Sequence, residues 1–175
     1  MRLERLTAPE HGMYQGAMEL YRSSFPFHEQ REGDSQARIM GQEEYQFHLI
    51  YDGDVFAGLM LCWETARFIY VEHFCILPDL RNKKYGQRAL ELLRERGKPV
   101  ILEIDPPVDE LSIRRKGFYE RAGYRENPFS HVHPPYHAGY SGHSLMVMSC
   151  PEPLPEELYQ EFDRYLKTVV MGRTL

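Results

Sequence analysis

The segment RNKKYGQRALELL, residues 81–93, combines residue types that can bind a phosphate group. Arg81, Lys83 and Lys84 concentrate positive charge where an amphipathic helix begins, and Gly86 would let a ligand approach the backbone without meeting a Cβ. The first amides of a helix have no partner within it, and the helix dipole behind them favours anions. The segment therefore predicts either a phosphate site or a basic helix start that only contacts water.

The elements that must position this segment follow from periodicity and from helix- and strand-breaking residues. Asp52-Gly53 predicts a tight turn between two antiparallel strands over 44–64, and Asp109 and Gly123 are a predicted N-cap and C-terminal stop. Further strands are expected in 66–78, 99–104 and 144–149, and helices over 9–24, 35–42, 84–96, 109–124 and 154–170. This order predicts an α+β fold, with parallel pairing between the strands that flank the helix 84–96.

Composition limits the classes of protein that the chain can belong to. Its 175 residues suit one domain, predicted over 1–175, and 42% hydrophobic content is that of a folded protein. The net charge of -5 argues against nucleic acid or an anionic membrane as partner. The apolar runs are too short to cross a bilayer, no signal peptide is recognisable, and three unpatterned cysteines read as reduced core residues, so we expect a cytoplasmic protein.

Two stretches together are similar to a known family. Neither G-x-G-x-x-G nor G-x-x-x-x-G-K-[ST] is present. However, VEHFCILPDLRNKKYGQRALELL, followed by RRKGFYERAGYRE, resembles the GNAT superfamily of acetyl-CoA-dependent N-acetyltransferases, in detail from Phe68 to Tyr124. The resemblance implies a mixed, mostly antiparallel central sheet flanked by helices, with a central parallel strand pair. It also implies acetyl-CoA as co-substrate.

The resemblance assigns the pyrophosphate of CoA to the loop before the helix 84–96. Arg81, Lys84 and Gly86 match the family motif, although Lys84 stands where the family has its first glycine. Lysine keeps its amide but is disfavoured if the loop needs a glycine-only conformation. Ser112 and Arg115 stand where the family often has Asn and Ala. The cofactor contacts implied are Phe74, Ile76, Arg81, Asn82, Lys83, Lys84, Tyr85, Gly86, Gln87, Ser112 and Arg115.

The resemblance also implies the chemistry. A neutral amine attacks the thioester, so a base must take its proton and an acid must neutralise the leaving thiolate. The family base lies on the strand before the loop, where Glu72 and His73 stand; neighbours point to opposite faces unless a bulge intervenes. We favour Glu72, with Glu103 as a further candidate. Tyr119 matches the family tyrosine near the CoA sulfur, since a phenol of pKa about 10 can protonate a thiolate.

Several alternatives stay open. For Glu72 the structural alternative is a solvent-facing carboxylate, for His73 a packed core imidazole, and for Tyr119 a core aromatic. The segments 25–32 and 131–143 are expected to border the acceptor site or to be plain loops. The four histidines of 131–143 with Cys150 fit no compact ligand set, so no metal site is predicted.

The function expected is transfer of an acetyl group from acetyl-CoA to a primary amine of a small molecule, by direct attack in a ternary complex. Acetylation of a protein or peptide, and acyl-CoA binding without turnover, are the alternatives. The family often dimerises, so a homodimer is one assembly to test.

Overall fold

The computed structural model describes residues 1–173, with strands and helices interleaved along the chain. The strands are β1 Arg2–Leu6, β2 Tyr45–Asp52, β3 Val55–Glu64, β4 Ile69–Ile76, β5 Val100–Ile104, β6 Arg125–Glu126, β7 His131–His133 and β8 His143–Cys150. The helices are α1 Tyr14–Ser24, α2 Gly33–Ile39, α3 Tyr85–Arg94, α4 Glu110–Arg121 and α5 Glu156–Tyr165. Short 3-10 turns occupy Phe27–Glu29 and Pro78–Leu80, and a π-helical turn, Leu166–Val170, continues α5.

The strands form a mixed sheet in the order β1-β2-β3-β4-β5-β8-β6, with β7 pairing to β8. Every recorded pair of strands is antiparallel except β4 and β5. The expected mostly antiparallel sheet with a central parallel pair is therefore confirmed. The parallel pair flanks α3, as the strand-helix-strand pattern predicts.

Two hydrophobic cores lie on opposite faces of the sheet. One face, here called the α1 face, packs against α1, α2 and α5 through residues such as Tyr21, Ile39 and Phe162. The other, the α3 face, packs against α3 and the end of α4, with Leu90 and Ala122 among its buried residues. Burying each large apolar side chain contributes about 1.5–3 kcal/mol, so both faces hold the sheet in place.

Other expectations are confirmed or corrected in detail. Asp109 caps α4 as predicted, and Gly123 ends that region with a positive φ of 90°. The three cysteines are free and buried. The first helix begins at Tyr14 instead of residue 9. Three strands were not predicted: β1, whose RLERL sequence lies at one edge of the sheet, β6, which has only two residues, and β7, which lies inside the histidine-rich loop.

Within residues 1–173 no helix is both long and apolar enough to span a bilayer. That the chain forms one domain stays a prediction.

Candidate active site

A gap opens between the two parallel strands. β4 and β5 pair through three residue pairs, the last joining Val71 and Leu102, and no further pair between them is recorded in the described chain. β5 stays paired to β8 as far as Ile104. The helices α3 and α4 start beyond the ends of these strands, so the gap is bordered by two helix starts.

The start of α3 leaves its backbone donors open. The first helical backbone bond runs from the Arg88 amide to the Lys84 carbonyl at 3.1 Å, so the amides of residues 85–87 precede it. No side chain caps this helix among the described residues. Asn82 and Lys84 adopt left-handed φ values of 61° and 63°. The loop therefore does use a conformation that favours glycine at the position of Lys84, and the lysine adopts it at a steric cost.

The basic side chains of this loop differ in what they contact. Arg81, Asn82, Lys83 and Lys84 are all exposed, and Arg81 donates through Nε to the Ile76 carbonyl at 3.2 Å. Arg88 instead donates two hydrogen bonds of 2.8 Å to Asp52. The exposed side chains of Arg81, Lys83 and Lys84 can therefore approach a bound anion.

Glycine is required at position 86 for a different reason from the one expected. A Cβ added there would lie 3.0 Å from the Phe118 ring and 3.5 Å from the Phe74 ring. The missing side chain therefore allows α3 to pack closely on α4 and β4, and the expectation that it clears space for a ligand is not supported by these contacts.

The start of α4 is closed by its own side chains. The Asp109 carboxylate accepts from the Ser112 amide at 2.8 Å, and the Ser112 hydroxyl accepts from the Asp109 amide at 3.1 Å. Arg115 donates to Asp105 at 2.7 Å. Ser112 and Arg115, expected as cofactor contacts, thus have partners within the protein, which explains why these residue types stand there; their cofactor role stays a prediction.

Tyr119 lies on the α3 face, edge-on to Phe118 and Tyr124 with ring centroids 5.1 and 5.7 Å away. Burial raises the pKa of Tyr119 to about 12, so the phenol keeps its proton at neutral pH. Phe74 and Ile76 pack at the edge of the same core. The protonated phenol of Tyr119 is the state that a proton donor to a thiolate needs.

A β-bulge changes which way β4 points its side chains. Leu61 of β3 pairs with His73, whereas the adjacent Cys62 pairs with Val71, so Glu72 is an extra residue. Glu72 and His73 consequently both contact residues of the α1 face instead of opposite faces. The alternation that forced a choice between them does not hold at this point of the strand.

The Glu72 carboxylate is completely buried, and both of its oxygens accept hydrogen bonds. Its carboxylate accepts from Arg31 at 2.7 Å, from the Trp63 indole at 2.8 Å and from the Tyr136 hydroxyl at 2.9 Å. Burial opposes ionisation, but the Arg31 charge and these bonds outweigh it and lower the pKa of Glu72 to about 2. The solvent-facing alternative for Glu72 is therefore wrong, and its surroundings make it a weak base.

His73 keeps one ring nitrogen free. Its Nε2 lies 2.8 Å from the Glu29 carbonyl, which can only accept, so the proton sits on Nε2. Its Nδ1 is buried without a hydrogen-bond partner in the described chain. Burial lowers the pKa of His73, so the ring is neutral at neutral pH with an available lone pair.

Glu103 is committed to another network. It accepts from the Tyr70 hydroxyl at 2.5 Å and contacts His131 Nε2 in a short hydrogen bond. Burial opposes ionisation, but the charges of His133 and His131 lower the pKa of Glu103. The Tyr159 hydroxyl lies 3.0 Å from the other nitrogen of His131. Three of the four histidines in the segment 131–143, His131, His133 and His137, are thus buried inside the protein.

A cavity of about 380 Å³ lies between α1, the 3-10 turn and α2. Tyr21 and Arg31 line it and also contact His73 and Glu72, which connects the cavity to the polar residues of β4. Phe27 and His137 form another wall, stacked with ring centroids 4.2 Å apart. A larger groove of about 650 Å³ lies at the far end of α3, lined by residues such as Arg94 and Lys98, away from these groups.

Sequence reasoning missed the partners of the predicted residues. Arg31 lies 41 positions from Glu72 and Tyr136 lies 64 positions away, and no motif joins them. It also missed that His28, Glu29 and His143 meet in space.

Comparison with known proteins identifies the class. The model of the acetyltransferase (GNAT) family matches residues 11–124. A solved structure of a GNAT-family acetyltransferase from Bacteroides thetaiotaomicron is 32% identical, with a TM-score of 0.92, covering 98% of this chain and 99% of that one. The chain therefore belongs to the GNAT acetyltransferase family.

More distant relatives share the fold. An aminoglycoside 6'-N-acetyltransferase solved with coenzyme A has a TM-score of 0.56 at 17% identity, covering 89% of this chain and 100% of that one. A Bacillus subtilis acetyltransferase in complex with CoA has a TM-score of 0.54 at 14% identity, covering 85% and 97%. YjbC of Bacillus subtilis (strain 168), described as an acetyltransferase, is 29% identical over 70 residues, 38% of this chain and only 36% of that relative's length.

Proposed function

We propose that the protein is an N-acetyltransferase that moves the acetyl group of acetyl-CoA to a primary amine of a small molecule, by direct attack in a ternary complex. Membership of the GNAT family supports acyl transfer. Two structural neighbours were solved with CoA, which supports the same co-substrate here. The homodimer stays part of the proposal.

The observation that carries the proposal is the uncapped start of α3 beside the gap between β4 and β5. Its open amides and the positive end of the helix suit the CoA pyrophosphate. Arg81, Lys83 and Lys84 add charge at the rim. The thioester arm would then enter the gap near Phe74, Ile76 and Tyr119, which pack against the same core.

Of the predicted bases, His73 is the one with a free lone pair, so we assign proton acceptance to its Nδ1. Glu72 instead fixes Arg31 and Tyr136 at the cavity. The amine nitrogen attacks the thioester carbonyl, its proton passes to His73, and the carbon–sulfur bond breaks. Tyr119 then donates its phenolic proton to the leaving thiolate and is reprotonated from solvent.

The cavity of about 380 Å³ suits a small acceptor, because ligand pockets typically measure about 300–1,000 Å³. Acidic net charge agrees with a cationic acceptor. The alternative of acyl-CoA binding without turnover is favoured by one observation, namely that two of the predicted bases, Glu72 and Glu103, are already bonded within the protein.

The test measures CoA binding by calorimetry and thiol release from acetyl-CoA with a panel of small amines and peptides. We expect micromolar binding and release with at least one small amine. Release that is fastest with a peptide would favour the protein acetyltransferase, and binding without release on any acceptor would favour the non-catalytic module. Failure to bind CoA would overturn the whole proposal.

The roles of individual residues are tested separately. Tyr119→Phe should lower kcat by about a hundredfold, the lower end of the range for one proton-transfer group, with CoA affinity retained. His73→Gln should remove the acid limb of the pH profile of kcat/KM, whereas Glu72→Gln should leave that limb in place. If His73→Gln keeps the limb, another group is the base.

A further inference from the structure

We propose that His28, Glu29 and His143, completed by Asp105, form a binding site for a divalent transition-metal ion of the Zn²⁺ class. One ligand atom from each of the first three residues lies within 4.8 Å of the other two. The residues come from the 3-10 turn before α2 and from the first residue of β8. Asp105 follows directly on β5, so the set joins three separate parts of the fold.

The distances are close to those that a tetrahedral ion requires. His28 Nε2 lies 3.7 Å from Glu29 Oε1, and His143 Nε2 lies 3.3 Å from Asp105 Oδ1. With ligand bonds of about 2.0–2.1 Å, tetrahedral donors on one ion are about 3.3–3.4 Å apart. No pair among His28, Glu29 and His143 is wider than 4.8 Å, so each must close by at most about 1.5 Å to reach that spacing. Side-chain rotation can supply this movement, because these three residues are 49%, 36% and 42% exposed.

The chemistry of the donors matches such an ion. Two neutral imidazoles with two carboxylates give a set of nitrogen and oxygen ligands of the kind that holds zinc. The carboxylate of Asp105 is already oriented, because Arg115 binds its Oδ2 at 2.7 Å and leaves Oδ1 towards His143. Outer contacts of this kind fix a ligand in place.

The position of the site gives a metal ion a route to the proposed base. The carbonyl of Glu29, whose side chain is one ligand, also accepts the hydrogen bond from His73 Nε2. An ion that tied the 3-10 turn to β5 and β8 would therefore hold the group that orients His73. The proposal concerns binding, and it stands or falls independently of acetyl transfer.

The test titrates Zn²⁺ alone into the metal-free full chain by calorimetry, with Co²⁺ absorption as a spectroscopic check of four-coordinate binding. We expect one saturable ion per chain. His28→Gln, Glu29→Gln and His143→Gln should each weaken binding by about tenfold or more, as loss of a ligand must exceed the effect of a lost outer contact. Unchanged thermal unfolding of the metal-free variants shows that they fold.

His11→Gln is the matched control, because His11 is an exposed histidine outside the set, and its binding should equal that of the parent. His133→Gln tests the internal histidine network and should also leave affinity unchanged. Absence of saturable binding, retained affinity in the His28→Gln/His143→Gln double variant, or loss in His133→Gln alone would each overturn the proposal.

Discussion

Two polar regions lie on opposite sides of β4 and are built in opposite ways. On the α1 face, Glu72 is buried and each of its oxygens has a partner in Arg31, Trp63 or Tyr136. On the α3 face, the loop before α3 is exposed, and the amides of residues 85–87 precede the first helical bond. A carboxylate whose oxygens all have partners holds the fold, whereas a helix start that leaves its donors open can hold a ligand.

The two helices beside the gap repeat this contrast. α4 begins with a reciprocal cap between Asp109 and Ser112, and its first turn is acidic. α3 begins directly after Lys84, with no acidic residue in its first turn and no side-chain cap. An anion is favoured at the start of α3 and disfavoured at the start of α4. This difference supports the start of α3, and not that of α4, as the proposed phosphate site, and the following changes test it.

The largest effect on stability should come from Arg31→Met. It leaves Glu72 as a buried charge without its cation, which costs about 3–5 kcal/mol of unfolding free energy. Urea unfolding measures this loss. Arg88→Met is the control: Arg88 donates two bonds of 2.8 Å to Asp52, but this pair is exposed, so its removal should barely change stability. Equal losses of unfolding free energy in the two variants would contradict the contrast between the buried surroundings of Glu72 and the exposed start of α3.

Acid should weaken the α1 face through Glu72. Because folding lowers the pKa of this carboxyl to about 2, its contribution is fully present above about pH 4.5. It is lost as the pH falls from about 4.5 towards 2, up to about 3 kcal/mol. Urea unfolding of the parent and of Glu72→Gln between pH 7 and pH 2.5 measures it. The variant should be less stable at pH 7 and should lose less on acidification; parallel curves would rule Glu72 out as the source.

Reversing the charge of the exposed loop before α3 should change CoA binding without changing the stability of the fold. Arg81→Glu together with Lys83→Glu should raise the Kd for CoA by about a hundredfold, about tenfold or 1.4 kcal/mol per site, and the effect should shrink in high salt. Calorimetric titration with CoA measures it. Lys167→Glu, an exposed change just beyond α5, should leave the Kd unaltered. A Kd that does not respond to the double reversal would mean that phosphate binds elsewhere.

The smallest effect should come from relieving the left-handed backbone at the start of α3. Lys84→Gly should raise stability by about 0.5–1 kcal/mol, since a side chain in this conformation costs about 1–2 kcal/mol and glycine gives part of it back as chain entropy. Asn82→Gly should gain less, because asparagine tolerates the same φ. Thermal unfolding of both variants makes the comparison. A larger gain at Asn82 would reverse the assignment of strain.

Local patterns were sufficient for much of the fold. The hairpin around Asp52-Gly53, the cap at Asp109 and the parallel pair flanking α3 follow from turn chemistry, capping and strand-helix-strand order. Each of these features depends on residues that are close together in the sequence. β1 was missed because its RLERL pattern lies on an exposed edge, where alternation of apolar and polar residues is weak.

The site could be predicted only in part. The start of α3 carries a sequence motif, but the ion pair of Arg31 and Glu72 joins residues 41 positions apart, and spacing offers no signal for it. Alternation along β4 required a choice between Glu72 and His73 unless a bulge intervened. A single inserted residue removes that alternation, and a bulge leaves no mark in one sequence.

The short parallel pairing of β4 and β5 also has a mechanical consequence. Three residue pairs join one half of the sheet, β1 to β4, to the other half, β5, β8, β6 and β7, whereas β2 and β3 are paired along nearly their whole length. The two halves of the sheet are thus joined by a narrow hinge. Amide protons of residues 69–71 should exchange with solvent sooner than those in the middle of β3, and a molecule that bridges the two halves should slow this exchange.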